Sequence, residues 1–234
     1  MKSTFIPKYI TILAAALSVA ACSYENHFLD EEEPEPGTYD MLWNVKVSDY
    51  TWTYINLITG KTETHDDTSE WIYAGKGEIR EALPDPEIGI EWHIAVHRYE
   101  FKTNGASVLN TETTDIMTVT ELPAGTYTFD EVAAYETEKE KENGGYLLTM
   151  DMTEMMGGNI GYAHNPTINR ALCDGITRTA TGTMPPTIYD TKREIFVLKW
   201  ADGSWIKLQT TSTKHTVKGT DHYLSFNYKY YPAE

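Results

Sequence analysis

The chain has 234 residues, with 35 acidic against 19 basic side chains and a formal net charge of −16. That length suits one domain of ordinary size, and so negative a surface repels phosphate backbones, which excludes nucleic acid as a partner. Apart from Cys22 the only cysteine is Cys173, so no internal disulfide forms and the fold must rest on its core. Cys173 reads as a small buried hydrophobe.

The first segment, MKSTFIPKYITILAAALSVAAC, places Lys2 and Lys8 ahead of a short apolar run from Ile10 to Ala21. Its length and flanks are those of a secretory signal rather than a membrane span. Val19-Ala20-Ala21-Cys22 matches a bacterial lipobox, in which small residues expose the bond before a cysteine that carries lipid on its sulfur. Residues 1–21 are thus expected to be removed, leaving Cys22 as the lipid attachment point; losing two lysines and no acid takes the charge from −16 to −18. Acyl chains contribute about 0.8 kcal/mol per buried methylene, enough in number to hold a domain at a bilayer without a spanning helix. The acidic, proline-bearing residues 22–40 cannot bury enough apolar surface to fold and read as a tether. Acidic residues soon after a lipidated cysteine also resemble the signal that sends lipoproteins of some anaerobic Gram-negative bacteria to the outer face of the outer membrane.

From residue 41 to 234 the pattern is that of one mostly antiparallel all-β domain with one or two short helices. Alternating or β-branched runs occur at 41–47, 51–57, 91–101, 115–120, 126–129, 194–200, 204–210 and 222–231. Between the sixth and seventh of these, Ala201-Asp202-Gly203 has the Asp-Gly pair of a tight hairpin. In NPTINRALCDG, Asn165 is expected to cap a helix with Pro166 in its first position and Gly175 at its end. The charge run at 136–145 reads as a solvated hairpin tip.

One composition anomaly stands out. Four of the eight methionines, Met150, Met152, Met155 and Met156, crowd into TMDMTEMMGGN at 149–159. Gly157 and Gly158 there loosen the chain and permit close approach by something flat or bulky. Thioether sulfur is soft and polarizable, suited to packing on a conjugated ring, to axial ligation of haem iron, or simply to filling an irregular core.

Enzyme signatures are absent: no nucleophile elbow, no His-Glu-x-x-His, no phosphate-binding glycine loop and no Cys-x-x-Cys. His65-Asp66-Asp67 reads as a polar exposed loop rather than a cation site. His93 and His97 are expected on one strand face, His97 hydrogen-bonded within the sheet, with no carboxylate there to complete a metal set.

EWHIAVHRYEFKTNG at 91–105 resembles a segment of the HmuY family of haem-binding, hemophore-like lipoproteins of anaerobic Gram-negative bacteria. YINLITGKTET at 54–64, IYDTKREIFVLKWADGSWIKLQ at 188–209 and YLSFNYKY at 223–230 agree in order, as do the lipobox and tether. The resemblance implies a non-enzymatic protein with an HmuY-like β fold that clamps haem b between projecting loops by two axial side chains. In the best-known member both are histidines. Here the second loop, TATGTMPPTIYD at 179–190, has none, and Met184 is its one plausible ligand. The methionine cluster then supplies the partner: Met156, with Met155, Met152 and His164 as alternatives. Tyr162 and Tyr189 are candidates to pack on the porphyrin. The resemblance further implies a surface lipoprotein, anchored or released, that takes haem from host haemoproteins and passes it to an outer-membrane TonB-dependent receptor; it leaves homo-oligomers open. The abundance of Tyr and Trp on a β scaffold motivates the alternative, a glycan-binding or adhesive surface lipoprotein.

Overall fold

The computed structural model describes residues 38–73, 75–133, 150–164, 166–183 and 187–233. The leader, Cys22, nearly all of the tether, the charge run at 136–145 and Met184 lie outside the described residues. Among the described residues no helix is long and apolar enough to cross a membrane.

The strands in chain order are β1 (Asp40–Lys46), β2 (Thr51–Ile55), β3 (Thr62–Asp66), β4 (Trp71–Tyr73), β5 (Glu78–Arg80) and β6 (Ile94–His97). They continue with β7 (Glu100–Thr103), β8 (Ser107–Asn110), β9 (Glu131–Val132), β10 (Met150–Glu154), β11 (Asn159–Ala163) and β12 (Thr167–Ile168). After the helix α1 (Arg170–Asp174) come β13 (Ile176–Ala180), β14 (Thr187–Thr191), β15 (Ile195–Lys199), β16 (Trp205–Lys214) and β17 (Asp221–Tyr231). Every pairing is antiparallel, so the expected all-β class holds.

The largest sheet runs β1-β17-β16-β15-β8, and a four-stranded sheet runs β3-β2-β6-β7. The main core is shared between them: Phe226 of β17 meets Phe101 of β7 edge to face, with ring centroids 6.4 Å apart. The interior strand β15 is apolar and buried from Ile195 to Leu198 because both of its faces are covered. Phe196 and Leu198 enter the main core, while Ile195 and Val197 join Ile116, Val119 and Trp205 in a smaller cluster behind it.

Four local expectations are corrected. The run at 91–101 is two strands, β6 and β7, joined by a turn at Arg98-Tyr99. Residues 116–118 form a single 3-10 turn rather than a strand. Lys207 Nζ donates to the carbonyls of Ile116 and Val119 and the Asp115 side chain accepts from the Met117 amide, so these groups are satisfied without a ladder. Residues 126–129 contribute one bridge, Thr128 to Val108. The helix starts later than expected, capped by Asn169, whose side chain accepts from the Leu172 amide. Thr167 and Ile168 are extended instead, paired with Val132 and Glu131. The Trp200–Ser204 hairpin turn forms as expected, with Gly203 at φ 94.

Candidate functional site

Two hairpins carry the residues singled out from the sequence. The first, β10–β11, lies at the edge of the sheet β10-β11-β4-β5. Its tip is a 3-10 turn at Met155–Gly157, and Met156 there is 96% exposed. A thioether so placed has no core to fill, which sets the reading of the cluster as packing material aside at this position. Met152 sits where the β10–β11 register shifts, between Asp151 and Glu154. Met150 stands opposite Tyr162, Tyr162 opposite Ile72 of β4, and Ile72 opposite Ile79 of β5. This row crosses four strands on the sheet face where Tyr162 is half-buried and Ile79 is exposed.

The other face of the same sheet holds the hairpin in place. Tyr73 lies over Gly161 so closely that a Cβ there would come within 2.5 Å of the ring, and its hydroxyl donates to Asp151 Oδ2 at 3.0 Å. A Cβ on Gly75 would stand 2.1 Å from the Gly158 carbonyl, and the Asn159 side chain accepts from the Lys76 amide. Gly75 and Gly161 therefore serve close approach, whereas Gly158 at the tip serves the turn, with φ 75 and open space around it. His164, the rival ligand, follows the end of β11, five residues on from Asn159 and so roughly 17 Å from the tip at strand rise. Its Nδ1 is bonded to Glu70.

The second hairpin, β13–β14, frames the loop that contains Met184. Tyr189 of β14 pairs with Arg178 and is half-buried. Its ring lies 4.4 Å from that of Tyr99, and the Arg98 guanidinium sits 4.7 Å from its centroid. Tyr189 is thus engaged by protein groups, and Tyr162 is half-buried like it.

The histidines lie elsewhere. His93 accepts from the Leu57 amide and meets Trp200 edge to face, whereas His97 is buried and stacked on Trp52. Contrary to the sequence expectation, carboxylates do reach His97. Glu100 arrives across the β6–β7 turn at 2.9 Å from Nδ1, and Asp67 from beyond β3 at 3.7 Å from Nε2. Burial alone would push the imidazole pKa down, but the Glu100 hydrogen bond and the charges of Glu100, Asp67 and Asp49 raise it. Asp67 is also buried rather than part of an exposed loop: it accepts from Trp71 Nε1 at 2.8 Å and from the Ser69 amide at 2.9 Å. His65 belongs to β3 and is bonded to Glu63. Among the described residues no group of three or more His, Cys, Asp or Glu is arranged to hold a metal ion. Cys173 is buried as expected, with burial pushing its thiol up to about 12.

A family model described as HmuY protein matches residues 48–228. The chain belongs to the HmuY family. Solved structures extend the likeness: the apo HmuY analog (TFO) of Tannerella forsythia is 31% identical, with a TM-score of 0.65 over 83% of this chain and 96% of that one. Apo PinO from Porphyromonas gingivitis is 22% identical, with a TM-score of 0.67 over 84% and 98% of the two chains. A Bacteroides vulgatus protein described as HmuY-like and heme-binding is 24% identical, with a TM-score of 0.59 over 83% and 93%. No curated protein matches the chain by sequence. Sequence reasoning passed over Tyr73 and Asp151, which brace the β10–β11 hairpin, and Arg98, which packs on Tyr189. Arg98 stands inside the HRYEF block, within what the sequence presents as one continuous run, so no pattern marked the turn that it occupies.

Proposed function

We propose that this HmuY-family protein is a haem-binding lipoprotein, anchored through Cys22 by a tether of residues 22–40, that ligates haem iron with two methionines from separate hairpin loops. Met184 is one ligand; the other comes from the cluster, Met156 first, then Met155 or Met152. The observation that carries this reading is the exposed thioether of Met156 at a hairpin tip, in a family member whose second loop holds no histidine. His164 loses ground as a rival because Glu70 holds it at the far end of the strand.

The residues fit the cargo. Haem iron accepts a thioether as an axial donor and the ring packs on apolar and aromatic side chains, which the row Tyr162, Ile72 and Ile79 supplies on the same sheet as the cluster. A thioether has no proton to compete with iron, so binding survives acidification that would disable imidazole. Thioethers favour ferrous iron, so binding is tighter under reducing conditions. The protein would take haem from host haemoproteins at the outer-membrane surface and pass it to a TonB-dependent receptor.

Haemin titration with and without dithionite tests the reading. A Soret band that is stronger in the reduced state and lost in Met184→Ala supports it. Equal affinity in both states, or persistence of the band in Met184→Ala, overturns the methionine ligation. A second reading rests on one observation: Tyr127, the exposed Phe129 and Trp200 line a cleft of about 490 Å³ with Lys199 and Asp202. Ring faces beside charged groups suit a sugar. Glycan-array binding without any Soret band would favour that reading instead.

A further inference from the structure

The two hairpins are joined through the β1–β2 turn. Tyr50 directs its hydroxyl to Asp151 Oδ1 of β10 at 3.5 Å, on the carboxylate that Tyr73 already grips. Its neighbour Asp49 accepts from Arg98 Nη1 at 2.8 Å through Oδ1, and its Oδ2 lies 3.3 Å from His222 Nε2. Burial would raise the Asp49 carboxyl pKa, yet the His222 hydrogen bond and the Arg98 charge hold it below the usual carboxylate value. The same guanidinium stacks over Tyr189 of β14, with the Tyr99 ring against it. A path of contacts therefore runs from β10 to β14, through the backbone of the turn between Tyr50 and Asp49 and then through Arg98.

Arg98 holds this place against a conformational cost. Its φ is 54°, in the left-handed region that disfavours side chains by about 1 kcal/mol or more. Glycine would serve the β6–β7 turn better. Strain kept at one residue is a pointer to what its side chain does.

We propose that Arg98 is a positioning residue that sets the spacing of the two ligand-bearing hairpins, by pairing with Asp49 on one side and stacking on Tyr189 on the other. This rests on the haem reading above for its functional meaning, though the tie itself does not. Two axial donors on separate loops bind one iron only in chains whose loops are aligned. Apparent affinity is the intrinsic affinity multiplied by the aligned fraction.

The test uses Arg98→Gly, which relieves the turn while removing the guanidinium, and Asp49→Asn, which keeps volume and removes the charge. Haemin titration of Arg98→Gly is expected to show affinity reduced about tenfold, with the Soret maximum unmoved because the ligands remain. Spin labels at Gly157→Cys and Thr183→Cys, in a Cys22→Ser background, report the hairpin spacing without haem. Buried Cys173, its thiol pushed up to about 12, does not take the label. The distance distribution is expected to be narrow in the parent and broadened by either variant. A folded Arg98→Gly protein with parental affinity and a parental distribution overturns the proposal. If that variant does not fold, a parental result for Asp49→Asn does the same. If the parent binds no haemin at all, the haem reading fails and the label distances still decide the tie.

Discussion

The closing sheet β1-β17-β16-β15-β8 and the sheet β10-β11-β4-β5 are built on different physics. In the first, Ile195, Val197, Leu198, Ile206, Leu224 and Phe226 are fully buried, and a central strand is covered on both faces. The second buries one large apolar side chain, Trp71, and is otherwise held by a tyrosine hydroxyl on a carboxylate, two glycines under close contacts and a buried asparagine. Apolar burial is strong and without direction, whereas such hydrogen bonds each contribute about 0.5–1.5 kcal/mol and depend on geometry. The chain therefore places the methionine cluster on an element able to open locally while the closing sheet keeps the fold.

The contrast breaks most visibly at Phe226. Phe226→Ala removes a ring buried at the meeting of the two main sheets and is expected to cost about 3–5 kcal/mol, read as a lower urea midpoint of the whole domain. A loss under about 1 kcal/mol would mean that this core is not the principal support.

Gly161→Ala should act more locally. Its new methyl would stand 2.5 Å from Tyr73, so the ring must move and release Asp151. The expected cost is about 1–3 kcal/mol. Hydrogen exchange is expected to quicken in β10 and β11, with β15 and β16 unchanged. Uniform quickening in both sheets would show that they unfold as one unit.

How much of this was legible beforehand follows the same division. Apolar, aromatic and β-branched runs exposed β15, β16 and β17 because burial on both faces writes itself into consecutive residues. The family blocks lie largely in that region and in β6–β7. Residues 116–118 were misread as strand because the partner of their carbonyls, Lys207, is 91 residues from Ile116 in sequence. The helix cap was misplaced by four residues because a capping asparagine occurs at both 165 and 169, and the pairing of Thr167 and Ile168 with β9 decided between them. The methionine cluster was visible as composition, whereas its division between strand β10 and the 3-10 turn at the hairpin tip was not. The tie through Arg98 was not, since its partners come from three separate turns and strands and share no spacing.

The smallest expected effect lies between the two regions, at His97. Its folded pKa is raised above 6.5, so its contribution is fully present below that value and is lost as pH rises through the folded pKa. Asp67 has its pKa lowered: burial opposes ionisation, but the His97 charge and the Ser69 and Trp71 hydrogen bonds outweigh it. Its contribution is present above 3.8 and lost as pH falls through the lower folded value. Both contributions are complete between those unfolded values, and the urea midpoint is expected to decline on the alkaline side. Once the imidazolium is neutral, the buried Asp67 keeps its charge with less to offset it, and its grip on Trp71 of β4 weakens. The loosening should then appear in β4 and β11, with the closing sheet unaffected. His97→Gln should flatten the alkaline slope, whereas a midpoint in the parent that is level from about pH 6 to pH 9 would mean that no proton on this imidazole is linked to folding.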